Sequence, residues 1–267
     1  MISIVIPCYN EEGNLKKGVL DQVATFLETQ SYEWEVIVAD DGSTDNSLEL
    51  CTQFASQHQN FKVISLVHGG KPHAIFGGLQ KTRGEIVLFT DMDQSTPIAE
   101  LDKLLIWFEK GYDVVIGSRG LERDGFSFIR QITSRGFRIV RGLALLPDIK
   151  DTQCGFKMFR SSVIKEIFPL LSFFASPRSS KGWVVSAFDV ELLFIAEKWG
   201  FPIKEVEVEW QHRDESTTKG NQVGKFFRES IEMAQEVLYV IWNNVRGYYK
   251  KEYWISSNAI AKTRMLH

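Results

Sequence analysis

Apolar positions along this chain follow two periods. Short, nearly continuous runs rich in Val and Ile, at Ile2 to Ile6, Trp34 to Ala39, Phe61 to Val67, Glu85 to Thr90 and Tyr112 to Ile116, predict strands. Between them apolar residues recur at spacings of three and four, as in Leu15, Val19, Val23, Phe26 and Leu27, and again in Ile98, Leu101, Leu104, Leu105 and Phe108. That spacing predicts amphipathic helices. Strands buried on both faces read as unbroken apolar runs, so the alternation predicts an α/β fold with a mainly parallel central sheet and helices on both faces. Ligands of such sheets bind beyond the carboxyl ends of the strands.

The second half is less regular. Phe126 to Leu146 reads as a helix bearing Arg130, Arg135, Arg138 and Arg141, and Val185 to Trp199 as another with Asp189 and Glu191 near its start. Ile203 to Trp210 is strand-like, and its exit, His212 to Gly220, has the mixed polarity of a mobile loop that acts as a lid. From Lys225 the residues Phe227, Ile231, Ala234, Leu238, Ile241, Trp242 and Val245 recur at helical spacing and lead into Arg246, Tyr248, Tyr249, Lys250, Lys251, Tyr253 and Trp254. Such a stripe packs on its own domain or, with that aromatic and basic end, lies on a membrane surface. The expected division is a catalytic domain over residues 1–224 and a carboxy-terminal amphipathic helix with a basic, aromatic tail over 225–267.

Composition narrows the function classes. At 267 residues, 44% hydrophobic and 24% charged, the chain has room for one large domain with a substantial core. A formal net charge of −3 argues against chain-wide attraction to nucleic acid, so any anion site is local. Cys8, Cys51 and Cys154 are odd in number and lack metal-finger spacing, which predicts reduced thiols in a cytoplasmic setting. The amino terminus has no basic leader ahead of an apolar stretch, and no apolar run reaches the roughly 18–20 residues needed to cross a bilayer, so neither a signal peptide nor a transmembrane segment is expected.

Chemistry gathers where the strands end. The first apolar run is followed by Pro7-Cys8-Tyr9-Asn10-Glu11-Glu12, the second by Asp40-Asp41-Gly42-Ser43-Thr44-Asp45, the fourth by Asp91-Met92-Asp93 and the fifth by Gly117-Ser118-Arg119. Asn10-Glu11 and Ser43-Thr44-Asp45 read individually as helix caps. Capping requires neither paired Asp40 and Asp41 nor Arg119. Asp91 and Asp93, two apart at the end of a strand, project to one side and can share a small volume. Mg²⁺ or Mn²⁺ takes oxygen ligands from one or two such carboxylates and from the phosphates of a bound nucleotide.

From Ile2 to about Lys225 these motifs together resemble family 2 inverting glycosyltransferases of the GT-A fold. Within that family, Asp151-Thr152-Gln153-Cys154-Gly155-Phe156-Lys157 and Phe188-Asp189-Val190-Glu191-Leu192 are most similar to dolichyl-phosphate β-glucosyltransferases, with dolichyl-phosphate mannosyltransferases as near relatives. The resemblance implies that Pro7, Tyr9 and Glu11 line the nucleotide pocket, that Asp41 with Asp40 contacts base or ribose, and that Lys71 and Asp91 face the donor. It implies that Asp93, with Asp91 as partner, binds the metal. It assigns Arg119, Arg130 and Arg213 to the charged centre of the reaction, and Arg135, Lys157 and Lys219 to the acceptor or its phosphate. Two positions depart from the pattern. Pro72 follows Lys71 where relatives usually have glycine, and Ser95 stands where mannosyltransferases often have Gln.

The expected reaction moves a hexose, glucose before mannose, from a nucleotide-diphosphate sugar, UDP-glucose before GDP-mannose, to a polyprenyl or dolichyl monophosphate. A divalent ion and guanidinium groups would neutralise the departing diphosphate. The acceptor's phosphate has a second ionisation near ~6, so it is already a nucleophile at neutral pH. A hydroxyl acceptor on a polysaccharide would instead need a carboxylate base such as Asp189 or Glu191. A nucleotidyltransferase and a non-catalytic nucleotide-sugar-binding protein are the remaining alternatives. Eukaryotic glucosyltransferase relatives carry an amino-terminal membrane anchor and many bacterial ones carry carboxy-terminal spans. The expectation here is peripheral attachment at the cytosolic face of a membrane, directly or through an anchored partner.

Overall fold

In the computed structural model, which describes residues 1–120, 146–175, 188–211, 235 and 237–254, the apolar runs become the strands of one sheet. β1 (Ile2–Cys8), β2 (Trp34–Asp40) and β3 (Phe61–Ser65) alternate with α1 (Glu12–Lys16), α2 (Val19–Glu28) and α3 (Ser47–Gln57). Then follow α4 (Lys71–Leu79), β4 (Ile86–Phe89), α5 (Leu101–Glu109) and β5 (Val114–Ser118). Beyond these lie β6 (Lys157–Arg160), α6 (Ser161–Ile167), α7 (Ser172–Ala175), α8 (Phe188–Lys198) and β7 (Ile203–Glu207).

Among the described residues the sheet has seven strands in the order β3-β2-β1-β4-β6-β5-β7. All neighbours run parallel except β6, which is antiparallel to both β4 and β5. Alternate β1 residues feed two cores. Ile2, Ile4 and Ile6 pack with α2, α3 and α5, whereas Val5 packs with α4, α6 and α8 on the other face.

The chain leaves β1 toward β2 and later returns to β4 on β1's other side, which makes the gap between β1 and β4 the topological switch point. Register opens that gap. β1 stays paired with β2 as far as Cys8↔Asp40, but its last pair with β4 is Val5↔Phe89. Pro7, which has no N–H to give, lies beyond that last rung and so costs the β1–β4 ladder nothing.

Two local readings change, and a third lies almost wholly outside the described residues. The helix expected through Leu15 to Leu27 is two helices, because Gly18 takes a left-handed φ of 74° between α1 and α2. β6 has only four residues with Lys and Arg at its ends, too short and too charged for an apolar-run criterion. Of the helix expected at Phe126 to Leu146 only Leu146 lies within the described residues, and it is in a non-helical stretch.

Candidate active site

The exits of β1 and β2 are stitched together by side-chain-to-backbone bonds. Ser43 Oγ accepts the Asn10 N–H (3.0 Å), Asn10 Oδ1 accepts the Thr44 N–H (2.8 Å) and Ser47 Oγ accepts the Glu11 N–H (2.7 Å). Asp45 takes the N–H groups of Glu12 (3.3 Å) and Ser47 (2.9 Å). Asn46 stands at the N-cap of α3 without a side-chain cap bond, so the Ser-Thr-Asp run crosslinks two loops as well as serving the first turn. Asn10 sits at φ 56°, a left-handed conformation that Asn tolerates.

Asp40 and Asp41 are both fully buried. Asp40 Oδ2 receives the N–H groups of Gly42 (3.1 Å) and Ser43 (3.2 Å), while its Oδ1 has no hydrogen-bond partner. An unsatisfied buried carboxylate oxygen costs about 1–3 kcal/mol, and a ligand N–H or O–H would relieve that cost. Asp41 is different. Its oxygens take the N–H groups of Gly69 (3.0 Å) and Gly70 (2.7 Å) and face the rings of His68 (2.9 Å) and His73 (3.3 Å). Asp41 thus fixes the loop that leads into Lys71. Tyr9 stacks on His68 with ring centroids 4.3 Å apart, and His68 Nε2 and Gln94 Oε1 are, like Asp40 Oδ1, buried polar atoms without a partner at this end of the sheet.

Across the switch point, Lys71 Nζ meets Asp91 Oδ1 at 2.5 Å. Burial works against the Lys71 charge, but Asp91, Asp189 and Asp93 outweigh it and raise its pKa. Pro72 occupies the first turn of α4, where a missing N–H is tolerated, so the departure at Pro72 is accommodated. Asp93 Oδ1 and Oδ2 accept the Ser95 N–H and hydroxyl, each at 2.8 Å. The intervening Gln94, at φ 49°, donates its side-chain amide to the Asp91 carbonyl (2.8 Å). Gly155 lies directly against Asp91, and a Cβ there would collide with the carboxylate.

Lys157 is fully buried on β6. Its ammonium donates to Asp189 Oδ1 at 2.7 Å and to the Cys154 carbonyl. Arg119 forms a two-pronged pair with Asp151 (2.7 and 2.8 Å), which ties the end of β5 to the 146–156 segment. Burial opposes the Arg119 charge and Asp151 more than compensates. Glu11 accepts the Asn14 side-chain amide (2.6 Å) at the start of α1. Glu191 receives the Ser172 N–H (3.0 Å), the Ser172 hydroxyl (2.9 Å) and the Tyr249 hydroxyl (2.6 Å).

The structure thus brings Lys71, Asp91 and Asp93 together, with Pro7, Tyr9, Asp40 and Asp41 on the opposite lip. Lys157 and Arg119 each have a carboxylate partner beside this centre. Arg130, Arg135, Arg213 and Lys219 lie outside the described residues. Gln211 donates its N–H to the Ser95 carbonyl (2.8 Å), so the segment leaving β7 passes the Asp93 turn. Sequence reasoning assigned no role to His68 or Gly155. The available signals were the Gly-Gly pair after His68 and the lone glycine of the Asp151 to Lys157 motif.

Among the described residues no three His, Cys, Asp or Glu side chains form a metal cage. The donor set still fits Mg²⁺ or Mn²⁺ completed by phosphate and water, because Ser95 gives each Asp93 oxygen a single hydrogen bond, which leaves lone pairs for a cation, and the Asp91 side chain is 40% exposed.

Known proteins resemble this chain in sequence and in fold. The sequence profile of glycosyl transferase family 2 matches residues 3–168. The dolichyl-phosphate beta-glucosyltransferase of Drosophila melanogaster is 33% identical over 90% of this chain and 74% of its own length. The enzymes of that name from Saccharomyces cerevisiae (30%, 93% and 76%) and Homo sapiens (30%, 94% and 78%) are alike. Among solved structures, a Pyrobaculum calidifontis mannosyltransferase in complex with GDP-Man and Mn²⁺ superposes with a TM-score of 0.61 at 19% identity, covering 92% of this chain and 64% of that one. Glucosyl-3-phosphoglycerate synthase of Mycobacterium tuberculosis, solved with Mn²⁺, UDP and glucosyl-3-phosphoglycerate, gives 0.60 at 18% identity over 90% and 80%. These likenesses establish the GT-A fold.

Proposed function

Because the chain belongs to glycosyl transferase family 2, we propose that this enzyme transfers glucose from UDP-glucose, with inversion, to a polyprenyl or dolichyl monophosphate. The observation that carries the donor half is the grouping of Lys71, Asp91 and Asp93 at the switch-point end of β4. A phosphate oxygen of the acceptor attacks the anomeric carbon as the bond from that carbon to the diphosphate oxygen breaks, and the nucleotide diphosphate departs. Asp93, with Asp91 beside it, would hold Mg²⁺ or Mn²⁺, which supplies charge neutralisation to that leaving group. Lys71 adds a positive charge on the same side, and the free oxygen of Asp40 suits an N–H or O–H of the nucleoside.

The acceptor half draws support from the state of the carboxylates. Glu191 is enclosed by Ser172 and Tyr249, and Asp189 Oδ1 is held by the Lys157 ammonium, so both carboxylates are already engaged by protein groups. A phosphate acceptor needs neither as a base. Both also hold structure, so charge-neutral isosteres test them better than alanine.

The decisive measurement is a donor-by-acceptor screen, UDP- and GDP-sugars against a short polyprenyl phosphate and a polysaccharide. Glycosylated lipid phosphate from UDP-glucose is expected. Turnover confined to the polysaccharide would overturn the acceptor assignment, and preference for GDP-mannose the donor assignment. Asp93→Asn is expected to lower turnover by about 10²–10³, the scale seen when one charge-stabilising group is lost, with the melting temperature unchanged within a few degrees. Full activity in that variant would remove Asp93 from the reaction.

A further inference from the structure

Lys71 is held where a second cation would have to go. Its ammonium contacts Asp91 at 2.5 Å with the side chain only 13% exposed, and the charges of Asp93 and Asp189 act on it as well. The backbone that delivers it cannot easily retreat, because Asp41 grips the N–H groups of Gly69 (3.0 Å) and Gly70 (2.7 Å). Gly70 is locked at φ 95° and Pro72 stiffens the first turn of α4. Release of Asp91 is therefore a side-chain movement of Lys71. On its other side Asp91 abuts Gly155, so its freedom to turn toward a metal is limited while the ion pair stands.

Resting on the donor-site reading above, we propose that Lys71 is a resident counter-cation. Without donor it neutralises Asp91 and keeps a divalent ion from binding. The donor diphosphate offers the ammonium an anion of its own, which frees Asp91, so that metal and nucleotide enter as one unit. An ammonium and a divalent ion both in contact with Asp91 would stand within a few ångströms of each other, where like charges repel. Coupling of this kind is reciprocal: whatever UDP does for metal affinity, metal does for UDP affinity.

The test is Mn²⁺ binding, followed by the paramagnetic resonance signal of free Mn²⁺, with and without UDP, for the parent protein, Lys71→Met and Lys71→Arg. The parent is expected to bind Mn²⁺ about tenfold or more tightly once UDP is present, within the usual range of coupling. Lys71→Met should gain about that factor in the absence of nucleotide and lose most of the UDP effect. Lys71→Arg, which keeps the charge, should stay weak without UDP. A Lys71→Met protein no tighter than the parent, while UDP still strengthens the parent, overturns the counter-cation and leaves the donor site standing. Failure of the parent to bind Mn²⁺ even with UDP overturns the metal-bound donor reading and this inference with it. Tight nucleotide-free Mn²⁺ binding by the parent overturns the inference whatever the variants do.

Discussion

Gly155 has no side chain, and that absence lets Asp91 stand where it does. A methyl group there would overlap the Asp91 carboxylate, which is the movable end of a part-exposed side chain, so the chain would yield by swinging Asp91 away from Lys71. Gly155→Ala should therefore cost little stability and much activity. A shift of about 1 Å at a reacting centre costs on the order of 10²-fold in rate, and a loss of roughly that size is expected in turnover with radiolabelled donor. A variant that melts far below the parent while keeping its specific activity would show that Gly155 serves packing alone. Asp91 and Asp93 were legible as a pair from their spacing at the end of an apolar run, although β4 ends at Phe89 and the turn after it, not strand alternation, sets their directions. The roles of Gly155 and Asp41 were not. Their partners stand far along the chain, Asp91 from Gly155 and Gly69 and Gly70 from Asp41, and only the sheet brings them together.

Most strands were readable from their apolar runs, but the part played by a polar group inside such a run was not. Buried Glu35, in an apolar strand, shows how such a group acts. It accepts the Ser3 hydroxyl (2.8 Å), the Arg83 N–H (2.7 Å), the Arg83 side chain (3.0 Å) and the Lys62 ammonium (3.1 Å). It thus ties β1, β2, β3 and the turn before β4 at the end of the sheet opposite the site, and helps to fix strand register. Burial opposes its charge, but the bonds from Arg83, Ser3 and Lys62 prevail and hold its carboxyl below the usual glutamate range. A depressed folded-state pKa contributes stability that is complete above the unfolded value, near ~4.3, and is lost as pH falls through the folded value. Glu35→Gln is accordingly expected to lose about 1–3 kcal/mol at neutral pH in denaturant unfolding, and the gap should narrow as the pH is lowered below that range. A gap that stays constant on acidification would mean that Glu35 acts by shape alone.

At the scale of the whole molecule, the proposed lipid acceptor demands a way to meet a bilayer, and among the described residues no helix is long and apolar enough to cross one. The described part of the carboxy-terminal stripe presents two faces. Residues 237–245 are helical, with Val237, Val240 and, further on, Tyr249 buried in the core. Leu238 (62%), Trp242 (57%) and Val245 (75%) are exposed at spacings of four and three, so a second apolar face points outward. Arg246 lies over Trp242 at 5.8 Å, and Lys250 and Tyr253 follow, both exposed, as a local basic and aromatic rim on a chain of net charge −3. That combination suits the interface of an anionic bilayer. Tyr249 also donates its hydroxyl to Glu191 on α8, two residues from Asp189, so the segment that carries the outward face is tied to the helix that carries Asp189. The purified protein is expected to co-sediment with vesicles of phosphatidylcholine and phosphatidylserine. Leu238→Ser with Trp242→Ser should weaken that binding about tenfold or more, since each buried apolar side chain is worth about 1.5–3 kcal/mol. Both positions are exposed, so the melting temperature should move little. Turnover on a water-soluble short-chain acceptor should persist while turnover on acceptor embedded in vesicles falls, and equal loss on both substrates would place the helix in the service of the catalytic domain rather than the membrane.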